Sequence, residues 1–144
     1  MTLAVTAAII FAAYLINVEV QTSLGERALA ATGLKIYPLE EAIPLARTQS
    51  KLVLADLSAI WCPTCRQLDK KVFTNPAVRQ ALEQDYIFAR VEYESDEGQA
   101  FQERYKVSGF PKLLILDSDG KLIRKLAITF DPNAFRRQLT RQKK

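Results

Sequence analysis

The chain has 144 residues, 49% of them hydrophobic, a formal net charge of +4 and two cysteines. That is enough for one hydrophobic core and too little for two ordinary domains. The positive excess gathers late: from Lys121 onward eight Lys or Arg stand against one acid, Asp131. A nucleic-acid surface would interleave such charges with aromatic rings, and only Phe130 and Phe135 are near, so the run reads as a solvated terminal helix with no nucleic-acid partner.

The first stretch, Leu3 to Val18, carries no charge and is almost wholly apolar. Met1, Thr2 and Val20 extend it past the single interruption at Glu19, toward the about 20 residues that a membrane span needs. A cleaved signal peptide would begin with basic residues and end on a small-x-small site. This segment has no Lys or Arg, and Val18-Glu19-Val20 is a poor site. A helix apolar all round also needs more cover than one small domain offers. Residues 1–20 are therefore expected to form an uncleaved N-terminal transmembrane or signal-anchor helix, although the first basic residue, Arg27, is too distant to orient it. Residues 21–35 read as a linker. They are either a short helix, with Ser23 capping Gly25 to Ala31 and Glu26 at its third position, or a tether.

Residues 36–144 are expected to form one domain. Ile36 and Tyr37 suit a short first strand. Pro38 to Gln49 looks helical, with Leu39, Ala42, Ile43 and Ala46 as its apolar stripe and Pro44 as a kink or a fresh start. Lys51 to Leu57 is an apolar, partly β-branched run of the kind that fills a sheet covered on both faces. The pattern then changes: Cys65, Leu68 and Val72 recur at helical spacing, with Arg66, Lys70 and Lys71 between them.

Trp61-Cys62-Pro63-Thr64-Cys65 thus sits where a strand hands over to a helix, with Cys62 at the helix N-terminus and Cys65 one turn in. Free backbone N–H groups and the helix dipole at that end favour a thiolate over a thiol at Cys62. Pro63 suits the first turn, where its missing N–H costs nothing. Cys62 can attack a substrate disulfide, and Cys65 can then attack the mixed disulfide. Two bland alternatives stand beside this. Zinc would need two further ligands in a chain without histidine, and a structural bridge closing so small a loop would restrict the unfolded chain little.

Asn75-Pro76 restarts a helix that buries Val78 and Leu82 up to about Asp85. Tyr86 to Tyr93 follows as a strand, with Ile87, Ala89 and Val91 on one face and Phe88, Arg90 and Glu92 on the other. Arg90 reads first as an ordinary strand-end charge. Ser95-Asp96-Glu97 opens another helix, whose Ala100, Phe101 and Tyr105 should pack inward. Lys112 to Leu116 and Lys121 to Ile128 form a hairpin across Asp117-Ser118-Asp119-Gly120, with Gly120 suited to positive φ. Asp131-Pro132-Asn133 caps a last helix to about Arg141, presenting Phe135 and Leu139 to the sheet.

Trp-Cys-x-x-Cys after an apolar strand resembles the thioredoxin superfamily, and Tyr105-Lys106-Val107-Ser108-Gly109-Phe110-Pro111 is similar to that family's approach to its cis-proline. Phe73-Thr74-Asn75-Pro76-Ala77-Val78 resembles the C-terminal thioredoxin-like domain of membrane-embedded bacterial disulfide reductases and the small membrane-anchored proteins related to it. The likeness spans about Lys51 to Leu139. It implies an α/β fold, a central mixed β-sheet flanked by helices, here with an N-terminal hydrophobic helix.

It also implies the roles. Cys62 and Cys65 would be catalytic, with Asp56 as the buried acid that moves the proton of Cys65. Arg90 would then stand near Asp56, where the family has a lysine. Trp61, Pro63, Thr64, Phe110, Pro111 and Lys112 would line the substrate groove. Lys112 and the bulky Phe110 depart from the family's usual residues, which bears on substrate choice. The implied activity is thiol–disulfide exchange, reducing protein disulfides or relaying electrons, with the Cys62–Cys65 pair as the redox centre and neither a metal nor another cofactor. The partners would be protein disulfides, a thiol electron donor the sequence does not name, and the membrane. The domain would lie on the extracytoplasmic, periplasmic side. The absence of histidine between the cysteines favours a reductant. A redox-inert, membrane-anchored peptide-binding or chaperone-like module using the same groove is the alternative.

Overall fold

The computed structural model describes residues 2–140. Met1 and residues 141–144, which the expected anchor and last helix reach, lie outside the described residues. Five strands form one mixed sheet in the order β1-β3-β2-β4-β5. Strands β1 (Ile36–Tyr37), β2 (Leu52–Ser58) and β3 (Tyr86–Glu92) run parallel, while β4 (Lys112–Leu116) and β5 (Leu122–Leu126) complete the sheet antiparallel. The expected fold class is the one observed.

Alternation along β2 explains its central place. Val53, Ala55 and Leu57 point to one face and join a core with Ala42 and Ala46 of α2 (Leu39–Gln49) and Phe101 and Tyr105 of α5 (Asp96–Tyr105). Leu54 points to the other, where Val78 and Leu82 of α4 (Pro76–Asp85) and Phe135 and Leu139 of α6 (Pro132–Thr140) cover it. Both faces are buried, which is why the strand is apolar almost throughout. Three phenylalanines lock the second core: Phe73 meets the ring edges of Phe88 at 5.1 Å and Phe135 at 5.7 Å.

The local signals act as their chemistry requires. The Asn75 side chain accepts the Ala77 and Val78 N–H groups, and Ser95 accepts that of Gly98. Gly120 turns at φ +73°. Pro44 lies inside a helix that continues through it.

Four expectations need amending. The helix after Cys62 is α3 (Pro63–Leu68) followed by a π-helical turn, Asp69–Phe73, so its stripe widens to bring Asp69 inward. Strand β5 ends at Leu126, short of Ile128, and leaves Leu122 and Ile123 exposed. Ala100 faces solvent, and Gly98 takes the buried place in α5. Residues 21–31 are neither tether nor separate helix: α1 runs unbroken from Thr2 to Ala31, with Ser23 in its interior.

Helix α1 is long and apolar enough to cross a membrane from Leu3 on. At 1.5 Å per residue its 30 residues extend about 45 Å. Leu3, Ile9, Ile10, Phe11 and Ile16 are exposed, so the domain does not cover this half.

Gly98 offers a test of how α5 docks. Alanine normally improves a helix interior by about 1 kcal/mol over glycine. Here a β-carbon would fall 2.1 Å from the Glu92 carbonyl oxygen and 2.7 Å from that of Tyr93. Gly98→Ala should therefore lower stability by about 1–3 kcal/mol in urea unfolding, whereas a raised midpoint would contradict this packing.

Candidate functional site

Cys62 is the N-cap of α3 because β2 ends at Ser58 and the chain turns at once, Cys62 N–H donating to the Ala59 carbonyl at 3.0 Å. The Cys62 sulfur accepts the Cys65 N–H at 3.1 Å. A cysteine thus does what serine or asparagine does at most helix starts, satisfying an orphan donor. Both thiols are free and almost wholly covered. With Ala59 they form a small third core beside Trp61, Tyr93 and Phe110.

Those three rings make the visible wall of the site. Phe110 stands edge-on to Trp61 at 5.4 Å and to Tyr93 at 4.6 Å, and the Trp61 indole N–H donates to Glu94 at 3.2 Å. The Phe110–Pro111 peptide is cis, and Pro111 is buried. Pro63 and Thr64 are exposed at the helix start. Lys112 is also exposed and lies opposite Leu57, so alternation puts it on the other face of the sheet from Asp56. The structure gathers Trp61 and Phe110 at the sulfurs and leaves Lys112 apart from them.

Burial pushes the Cys65 thiol up to about 12, its S–H held by the Cys62 sulfur. Ser58 Oγ opposes the rise from beside it. That hydroxyl is itself buried without a hydrogen bond of good geometry among the described residues.

Three buried charges form a second cluster, near enough to Cys65 for it to act on Arg90. Parallel register sets Asp56 of β2 beside Arg90 of β3. Arg90 Nη1 donates to Asp56 Oδ2 at 3.0 Å and to Asp69 Oδ1 at 2.9 Å. Both carboxylates are 1% exposed, and Asp56 Oδ1 has no partner among the described residues. One guanidinium therefore answers two buried carboxylates. Desolvation raises Asp56 to about 6 against the lowering effect of Arg90, with Asp69 and Glu92 adding like charge. Asp69 is raised for the same first reason, and the two acids keep Arg90 charged despite its own burial.

The strand-end reading of Arg90 is thus corrected: its side chain is 9% exposed, inside an ion triad. Asp69 went unread in the sequence, yet a signal existed. It stands four residues after Cys65, on the same helix face.

A family model described as thioredoxin-like matches residues 35–118. The thiol:disulfide interchange protein DsbD of Pseudomonas fluorescens is 38% identical over 106 residues, covering 71% of this chain and 18% of that protein. The DsbD of Tatumella citrea is 35% identical over 91 residues, covering 62% and 16%. The chain thus spans less than a fifth of these curated relatives. A thioredoxin from Thermus thermophilus superposes with a TM-score of 0.68 at 28% identity, covering 75% of this chain and 85% of its own. The oxidised C-terminal domain of Neisseria meningitidis DsbD has a TM-score of 0.62 at 22% identity, covering 76% and 100%, a likeness of fold.

The Asp56 shift fixes the sign of a pH effect. Its ionisation lies at about 6 in the folded chain against 3.8 as the ordinary value. Between the two the folded state holds the extra proton, so its stabilising effect is full below about pH 4 and lost as pH rises through about 6. Two units correspond to about 3 kcal/mol. Asp56→Asn, which cannot ionise, should therefore gain on the wild type by about that amount between pH 4 and pH 8. An equal difference at both pH values in denaturant titrations would sink the assignment.

Proposed function

The chain belongs to the thioredoxin-like family, and from that we propose that it is a thiol–disulfide oxidoreductase that reduces protein disulfides through Cys62 and Cys65. The observation that carries this reading is the pairing of the two sulfurs at the start of α3: Cys62 as N-cap accepts the Cys65 N–H, and Cys65 lies buried beneath it.

The chemistry runs in two displacements. The Cys62 thiolate attacks one sulfur of a substrate disulfide, forming a mixed disulfide and releasing one substrate thiolate, which takes up a proton from water. Cys65 then attacks the Cys62 sulfur, closing the Cys62–Cys65 disulfide and releasing the second substrate thiol. Two electrons pass from the pair to the substrate. A dithiol donor must return them by the reverse sequence.

The second step needs Cys65 to lose its proton. Part of what holds that proton is Cys62 itself, through the S–H bond to its sulfur and its negative charge. Both influences weaken once Cys62 is in the mixed disulfide, and burial remains. Asp56, ionising near neutral pH, is then the base that takes the proton as the Cys65–Cys62 bond forms.

Trp61, Phe110 and Pro111, with Pro63 and Thr64 at the helix start, are assigned to the substrate strand, and Lys112 to its far edge. Residues 1–20 are assigned to a membrane anchor, and the domain to the extracytoplasmic side, which would be periplasmic. The apolar length of α1 and the likeness to thiol:disulfide interchange proteins support both. With no histidine between the cysteines, the reducing direction is preferred, and the potential should lie near −270 mV rather than near −120 mV.

The test is a trap. Cys65→Ser should accumulate a mixed disulfide through Cys62 with an oxidised protein substrate, seen by non-reducing electrophoresis and peptide mass. Cys62→Ser should form none. Equal trapping by both variants, or by neither, would overturn the assignment.

A further inference from the structure

The apolar half of α1 accounts for an anchor, but its second half does something the anchor does not require. Gln21, Gly25, Ala28 and Thr32, at spacings of four, three and four, lie along one side of the helix and its end, facing the domain. Gln21 accepts a 2.8 Å hydrogen bond from Arg66 of α3. Ala28 and Thr32 are buried, and the Thr32 carbonyl accepts from Arg79 of α4 at 3.3 Å.

Gly25 is the closest approach. A β-carbon there would lie 1.8 Å from the carbonyl oxygen of Ile60 and 2.9 Å from its carbon. A glycine inside a helix costs about 1 kcal/mol relative to alanine, and here it lets the α1 backbone sit directly on the loop that carries Cys62. The other side of the same residue is held as well. The Ile60 N–H donates to the Glu92 carboxylate at 3.1 Å. Ile60 is therefore gripped between β3 and α1, two residues before the sulfur. The next turn, Cys62 N–H to Ala59 carbonyl, starts from the residue before it.

We propose that α1 is a structural part of the redox site and that Gly25 is a positioning residue for Cys62, seating the Ile60 carbonyl so that Cys62 takes the N-cap position. The proposal rests on the role given to Cys62 above. It makes the anchor and the redox centre one mechanical unit: the sulfur is placed by the helix that enters the membrane, and displacing the helix displaces the sulfur.

The experiment uses the full chain in lipid nanodiscs and compares the wild type with Gly25→Ala and Gly25→Leu. Ala30→Leu, on the exposed side of the same helix, is the control. Two quantities are read: the rate of Cys62 alkylation by iodoacetamide, and the equilibrium of the cysteine pair with dithiothreitol. A sulfur displaced by a fraction of an ångström should react about tenfold more slowly in Gly25→Ala, and more slowly still in Gly25→Leu. The equilibrium should move by about threefold or more, a change that a loss of global stability alone would not produce. The control should match the wild type in both. Should the Gly25 variants not fold, Gln21→Ala removes the Arg66 bond without adding bulk and should slow alkylation in the same direction, about twofold to threefold. Wild-type rates and equilibrium in a folded Gly25 variant, or a wild-type rate in Gln21→Ala where those do not fold, would reduce α1 to a tether and overturn the proposal. A wild-type pair with no two-electron transition would instead end the oxidoreductase reading. The alkylation comparison would still decide the role of Gly25.

Discussion

Arg90 answers two buried carboxylates with a single positive charge, and the cluster is left one negative charge in excess. An uncompensated buried charge costs several kcal/mol, so below about pH 6 the cluster relieves it by taking up a proton. That proton sits on Asp56, whose second oxygen has no partner, rather than on Asp69, which meets Arg90 through both of its oxygens. The ionisation of Asp56 at about 6 is the consequence. A carboxylate fully matched by its own arginine would ionise below about 4 and would be a far weaker proton acceptor at neutral pH.

The same economy governs the sulfurs. The N-cap geometry at the start of α3 sets the Cys62 sulfur against the Cys65 N–H, on a turn whose Ile60 carbonyl packs against α1. The rest of the domain fixes what lies around that contact. The register of β2 on β3 delivers Arg90, the π-helical turn delivers Asp69, and the β3–α5 connection delivers Tyr93 against Phe110. Helix α1 closes the remaining side at Ile60.

Much of this was legible in the chain, and the limits are physical. The apolar run Lys51–Leu57, the helix starts at Asn75 and Ser95 and the turn at Gly120 are local, so short windows of sequence read them correctly. The cysteine pair was legible for the same reason. Asp69 was not, because its meaning is in its neighbours, and Arg90 was placed near Asp56 by the family resemblance alone. A charge late in a strand looks solvent-facing until the register sets it beside Asp56, and one extra residue in a helical turn decides whether Asp69 faces inward. Residues 21–31 were misjudged because polar and small residues suggest a tether, whereas smallness at Gly25 and Ala28 is what allows close packing. Ala100 shows the converse: an apolar residue in the right period was not needed inside.

The proton transfer from Cys65 depends on the state of Asp56 when Cys62 and Cys65 are both thiols. The most direct measurement is a carbon-13 NMR titration of the Asp56 carboxyl in the reduced protein, assigned by its loss in Asp56→Asn. The triad predicts a midpoint near 6, well above the 3.8 of an ordinary aspartate. A midpoint below about 4 would mean that Arg90 fully compensates the charge, and would remove Asp56 as the base for Cys65.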